Sequence, residues 1–140
     1  MSYSELVHAY FERSTALQWY WTVYILVIGG LMAFSTFRRH KEIVTTILVT
    51  ALYGGFAYKN LGAIEATTAE RNALLAALKA CPESPDVARV RTVLEPTLTG
   101  PEYEGYRAFH IACDLLTVAF LWTKEWSRKA ESGMQPQGAG

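Results

Sequence analysis

Four polar residues are spaced so that one helix would carry them as a single stripe inside an otherwise apolar segment. These residues are Arg107, His110, Asp114 and Thr117. Their spacings of three, four and three residues are those of one helical face. An ionised carboxylate such as Asp114 is costly within a membrane and normally faces a partner group or a water-filled cavity. Thr50 falls at a similar depth on another predicted span and is the candidate hydrogen-bond partner of Asp114.

Such a polar intramembrane stripe has several possible uses. It can relay a proton or an ion, contact a quinone or a lipid head group, or line a pore. It can also act as a purely structural group that holds helices or protomers together. An enzyme that uses His110 and Asp114 on a lipid-soluble substrate is a further alternative.

Other residue patterns that carry chemistry have no support in this sequence. It contains no glycine-rich phosphate loop, no Cys-x-x-Cys pair and no supported Ser/His/Asp motif. Glu5, His8 and Glu12 would share a helical face, but a di-metal bundle needs two such helices. His40 and His110 are predicted at different depths, so a single chain cannot ligate a membrane haem with them. We therefore predict no catalytic residues, no metal and no cofactor.

Three apolar segments must position the stripe. From Leu17 to Phe37 the chain runs 21 residues without a charged side chain, and basic residues follow at once. A helix of this length covers roughly 30 Å, the thickness of the hydrocarbon core of a bilayer. Because a 16-residue segment containing Glu5 and Glu12 precedes it, we interpret it as an uncleaved span rather than a signal peptide. The predicted spans are 17–37, 43–64 and 103–126.

Aromatic residues mark the ends of the first and third predicted spans. Tryptophan and tyrosine are enriched at both interfaces of a membrane, where an apolar ring with a polar tip is stable. The predicted interfacial anchors are Trp19, Trp21, Tyr103, Tyr106, Trp122 and Trp126.

Basic residues predict how the spans are oriented. The loop from Arg38 to Lys41 and the tail that contains Lys124 and Arg128 lie on the same side of the membrane. The positive-inside rule places both in the cytoplasm. The N-terminus and residues 65–102 then lie outside. The sequence therefore predicts a multi-pass protein of the cell inner membrane, with its N-terminus outside and its C-terminus cytoplasmic.

The segments outside the spans also have predicted structures. Residues 1–16 are predicted to form a short interfacial helix that precedes the first span. Residues 65–102 read as an extramembrane helical segment of two helices around a proline turn, and 127–140 as a cytoplasmic tail.

Small residues on the first two spans predict close helix packing. In lipid, a small-xxx-small pair lets two helix backbones approach each other. The predicted packing residues are Gly29, Gly30, Ala33, Ala51, Gly54 and Gly55. Their depths allow the two spans to pack on each other, and the same pattern serves packing between chains.

These features define one fold class and two main functional hypotheses. We predict an all-α integral membrane protein with three transmembrane helices and a small extramembrane helical hairpin. A formal net charge of zero argues against a nucleic-acid partner, which would need a basic surface. Since three helices enclose little interior, we expect partners within the lipid bilayer, either copies of the chain or other membrane subunits. The first hypothesis is a structural or accessory subunit of a membrane complex or homo-oligomer, and the alternative is a pore-forming or proton- or ion-conducting oligomer.

Overall fold

The computed structural model describes residues 2–82, 85–98 and 102–132. This part of the chain is built from helices, which confirms the predicted all-α class. No strand occurs in these ranges. The elements are α1 (Tyr3–Phe37), α2 (Ile43–Ala80), α3 (Pro85–Leu94), a 3-10 turn (Glu95–Thr97) and α4 (Tyr103–Ser132).

The three long helices α1, α2 and α4 pack side by side as a bundle. The short loop after Phe37 folds α2 back along α1, so these two helices are antiparallel. α4 runs parallel to α1, because Tyr24 bonds to Asp114 and, further along both helices, Ser35 bonds to Arg128. Each long helix therefore contacts the other two.

Most buried residues of α2 and α4 are three, four or seven positions apart, the spacing of helices that cross at a shallow angle. On α2 the buried line contains Thr46, Tyr53, Ala57, Asn60, Ile64, Thr67 and Arg71. Most of these side chains carry polar groups. By contrast, Val44, Leu48 and Leu52 on the same helix are exposed. Polar groups thus point into the bundle and large apolar groups point out of it, the reverse of the usual arrangement in a water-soluble bundle.

One helix of the described part of the chain, α1, is long and apolar enough to cross a membrane by length and composition. Only 11% of its most apolar stretch is buried, so α1 is not the shielded core helix of this bundle. This helix near the N-terminus allows a membrane location. α2 and α4 are less apolar, since Lys59 and Asn60 interrupt one and His110 and Asp114 the other.

α1 joins two predicted segments without a break, since it carries both the predicted interfacial helix and the first span. A capping box starts it: the Ser2 hydroxyl accepts from the Glu5 N–H at 3.3 Å, and the Glu5 carboxylate accepts from the Ser2 N–H at 2.6 Å. These two bonds to Ser2 lower the pKa of Glu5.

The first turns of α1 pack against the segment that follows the second predicted span. Leu6 and Tyr10 form a small apolar core with Leu78 and Leu98. The Tyr10 hydroxyl also donates to the Leu98 carbonyl at 3.1 Å. The first turns of α1 therefore pack against residues of the predicted extramembrane segment, 65–102.

α2 and α4 both run past the predicted ends of their spans. α2 continues as one helix from the second predicted span to Ala80. At its C-terminal end, the Leu78 and Cys81 carbonyls accept hydrogen bonds from Arg91 of α3. α4 runs past the predicted end of the third span to Ser132. The rest of the predicted tail, 133–140, lies outside the described residues.

Candidate functional site: two buried polar clusters

Asp114 lies at the centre of the bundle and accepts hydrogen bonds from all three long helices. Its Oδ1 accepts from the Tyr24 hydroxyl of α1 at 2.8 Å and from the Tyr53 hydroxyl of α2 at 2.7 Å. Its Oδ2 lies 2.9 Å from His110 Nδ1, one turn earlier on α4. Together with Asn60, which bonds to His110, these residues form what we name the Asp114 cluster.

His110 is fully buried and occupies both of its ring nitrogens within this cluster. Its Nε2 lies 3.2 Å from Asn60 Nδ2, and its ring stacks on that of Tyr24 with centroids 4.0 Å apart. A neutral imidazole protonated on Nδ1 satisfies every contact, because it donates to Asp114 and accepts from the amide of Asn60. That tautomer is assigned from the hydrogen-bond pattern. A second ring proton would require the Asn60 amide to turn its oxygen toward Nε2.

Two chemical properties follow from the Asp114 cluster. Its hydrogen bonds tie α1, α2 and α4 together at one level, which fixes the register of the bundle. It is also a connected set of proton-exchanging groups, because the two tyrosine hydroxyls and His110 all bond to Asp114. Such a set can hold a proton or pass it along.

The structure brings together part of the predicted polar stripe. His110 and Asp114 meet, and Thr117 lies buried on the same face, where it donates to the Cys113 carbonyl at 2.8 Å. Arg107 is exposed and pairs with Glu104 at 3.6 Å, so it does not join the cluster. Thr50, the predicted partner of Asp114, donates to the Thr46 carbonyl at 2.7 Å.

Sequence reasoning missed three members of the Asp114 cluster. Tyr24 and Tyr53 lie in the middle of apolar segments rather than at their ends, and a buried tyrosine hydroxyl there needs an internal partner. Asn60 follows Tyr53 by seven residues, which places both on one face of α2. These two signals were available in the sequence.

A second buried carboxylate, Glu125, joins the other end of the bundle. Its fully buried side chain accepts from the Thr46 hydroxyl at 3.0 Å and from Arg128 Nη1 at 2.9 Å. It also accepts from Arg38 Nη2 and, at 2.8 Å, from the backbone N–H of Glu42. We name this group the Glu125 cluster.

The Glu125 cluster was also missed, because Glu125 lies in a run of charged residues typical of a solvated tail. Its position does carry a signal. Thr117, Leu121 and Glu125 are four residues apart, so they continue the buried face of α4 that begins at Asp114. Arg38 was assigned only to the basic loop, although its side chain is just 14% exposed.

The predicted helix-packing residues lie on the outside of the bundle. All six, at positions 29, 30, 33, 51, 54 and 55, are exposed. A Cβ added at any of the four glycines among them would meet no atom within 4 Å. The hairpin of α1 and α2 therefore closes on other residues, such as Tyr24 and Tyr53, and packing between chains stays a prediction.

The predicted interfacial anchors have mixed surroundings. Trp19 and Trp126 are exposed, and the Trp126 ring lies 6.1 Å from that of Trp122. Trp21 instead packs against Tyr106, with ring centroids 5.9 Å apart. The hydroxyl of the remaining anchor, at position 103, donates to a glutamate of α2 at 3.2 Å.

Comparisons with protein-family models, with curated proteins and with solved structures give no significant match.

Proposed function

We propose that this chain is a three-span membrane protein that serves as a structural or accessory subunit of a membrane complex or homo-oligomer. The observation that supports this proposal is the contrast between the interior of the bundle and its surface. The polar groups of the Asp114 cluster are satisfied within one protomer, whereas the glycines of α1 and α2 lie open on the outside. A partner helix is what such an open small-residue face accommodates in lipid.

The exposure pattern supports three crossings. α2 presents Ile43, Ile47 and Leu52 outward, and α4 presents Leu115 and Leu116. Of the polar residues that interrupt these helices, Asn60, His110 and Asp114 point into the bundle, whereas Lys59 is exposed. Apart from Lys59, an outer apolar belt therefore encloses α1, α2 and α4 alike. In the hydrocarbon core this arrangement stabilises the bundle, whereas in water it would expose a large apolar surface.

The charges at the two ends support the proposed orientation in the inner membrane, with the N-terminus outside. Arg38, Arg39 and Lys41 lie at the same end of the bundle as Lys124 and Arg128. Labelling with a membrane-impermeant thiol reagent tests this. We expect Ser2→Cys to react from outside and Gly140→Cys to stay protected; reaction of both on one face would contradict three crossings.

Leucine substitutions at the open glycines test assembly. In Gly29→Leu and Gly55→Leu the new side chain enters free space, so the protomer should fold with unchanged helix content. We expect the native mass in mild detergent to fall from an assembly to a single chain. Gly105→Leu, whose Cβ also meets nothing within 4 Å, is the control and should keep the assembly. A wild-type protein that is a lone monomer would contradict the proposal.

Proton conduction is a second candidate, favoured by the connected set of groups around Asp114. Purified protein in vesicles that contain a pH-sensitive dye provides the assay. If the protein conducts, Asp114→Asn should abolish the flux while the native mass stays unchanged. Absence of flux in the wild type would leave the Asp114 cluster with its structural role.

A further inference from the structure

A basic cavity opens at the end of the bundle that contains the loop from Arg38 to Lys41. Its volume is about 350 Å³. The residues that line it are Thr36, Arg38, Arg39, Lys124, Ser127 and Arg128. Four of these six side chains are cationic, and the other two carry hydroxyls.

Two of the cations are held in place by the buried Glu125. Arg38 and Arg128 both bond to its carboxylate, and their side chains are only 14% and 11% exposed. Arg128 also donates to the Ser35 carbonyl of α1. These bonds fix both guanidinium groups in the wall of the cavity. Arg38 already donates through Nε and Nη2 to the His40 and Glu42 carbonyls, so it contributes mainly its charge.

The other two cations add charge at the rim of the cavity. Among the described residues, neither Arg39 nor Lys124 pairs with a carboxylate, and Lys124 Nζ lies 5.8 Å from the centre of the Phe120 ring. The carboxylate of Glu42 is nearby in sequence, but it accepts from Thr45 at 2.9 Å and does not line the cavity. The hydroxyls of the wall donate to backbone carbonyls, so recognition of an anion falls to the cations.

Exposed aromatic residues neighbour the basic residues of the cavity in the sequence. Phe34 and Phe37 on α1 and Trp126 on α4 are exposed close to the basic side chains in sequence. The Arg38 guanidinium lies 5.8 Å from the centre of the Phe34 ring. A soluble anion would use only the cations, whereas a phospholipid would also cover these rings with its acyl chains.

We propose that this cavity recognises phosphate, and that the phosphate belongs to the head group of an anionic phospholipid. Basic pockets between membrane helices on the cytoplasmic side bind such head groups. The inference rests on the proposed membrane crossing but does not depend on assembly with other chains.

Native mass spectrometry of the full chain in mild detergent tests the proposal, with phosphatidylglycerol and phosphatidylcholine of the same acyl chains as probes. We expect tighter binding of phosphatidylglycerol. The variant Arg39→Gln/Lys124→Gln should weaken it roughly thirtyfold, since each cation near an anionic surface contributes about 1 kcal/mol and 1.4 kcal/mol is tenfold. Arg38 and Arg128 are left intact because they hold Glu125.

The control Lys41→Gln/Lys59→Gln removes the same number of charges from residues that do not line the cavity, and it should bind phosphatidylglycerol like the wild type. Equal binding of the two lipids, or equal loss in both variants, would overturn the proposal. Inorganic phosphate that displaces phosphatidylglycerol would assign the cavity to a soluble anion and overturn the lipid assignment. A chain that stays dispersed without detergent would instead refute the proposed membrane crossing.

Discussion

Replacement of Glu125 by glutamine should destabilise the bundle by about 3 kcal/mol. The amide keeps an oxygen for the backbone N–H of Glu42, but its NH₂ group then faces three donors, on Arg38, Thr46 and Arg128. Removal of one partner of a buried ion pair costs about 3–5 kcal/mol, because the remaining charge has no counter-ion. We take the lower end because the two guanidinium groups are partly exposed.

The free energy of unfolding can be measured by titration from mild detergent into dodecyl sulfate, with helix content followed by circular dichroism. Glu42→Gln is the matched control, since its exposed carboxylate contacts only the neighbouring turn, and it should change the free energy by less than about 0.5 kcal/mol. The double variant Arg38→Gln/Glu125→Gln should be less destabilised than the two single losses together, because it also removes one of the two guanidinium groups that lose their carboxylate in Glu125→Gln. A loss for Glu125→Gln no larger than that of the control would refute the reasoning.

Three further perturbations have expected outcomes. Tyr53→Phe removes the hydroxyl that donates to Asp114 and should cost about 1 kcal/mol in the same unfolding assay, whereas Tyr58→Phe, at an exposed position, should be silent. Leu78→Ala should cost about 3 kcal/mol because it opens a cavity in the outer apolar core, and the exposed Val93→Ala gives the baseline for this comparison. The capping box should weaken as the pH falls below 4.5: the lowered pKa of Glu5 means that its contribution is complete above the ordinary value and is lost on protonation. The protection factors of the Ser2 and Glu5 amides, which correct exchange for its intrinsic pH dependence, should therefore fall in acid, and protection factors that stay constant in this range would contradict the assigned cap.

The sequence predicted the helices well, because their signals are local. Apolar runs, Pro82 and the basic loop mark where α1, α2 and α4 begin or end, and each depends on neighbours within a few turns. Partner choice across helices is not local. Thr50 and Tyr53 lie three residues apart at nearly the same depth, and only the rotation of α2 decides that the tyrosine faces Asp114. The same rotation turns the glycines of the hairpin outward.

The two buried carboxylates differ in the donors that surround them. This difference indicates which of them could take part in proton movement and which has a structural role. Glu125 faces two guanidinium groups, so loss of its charge would remove a counter-ion from both of them. Asp114 faces two phenol hydroxyls and an imidazole, all of which donate as neutral groups. A proton added at Asp114 therefore leaves no cation without a counter-ion. Any proton movement in this bundle should thus depend on Asp114, while Glu125 only sustains the fold.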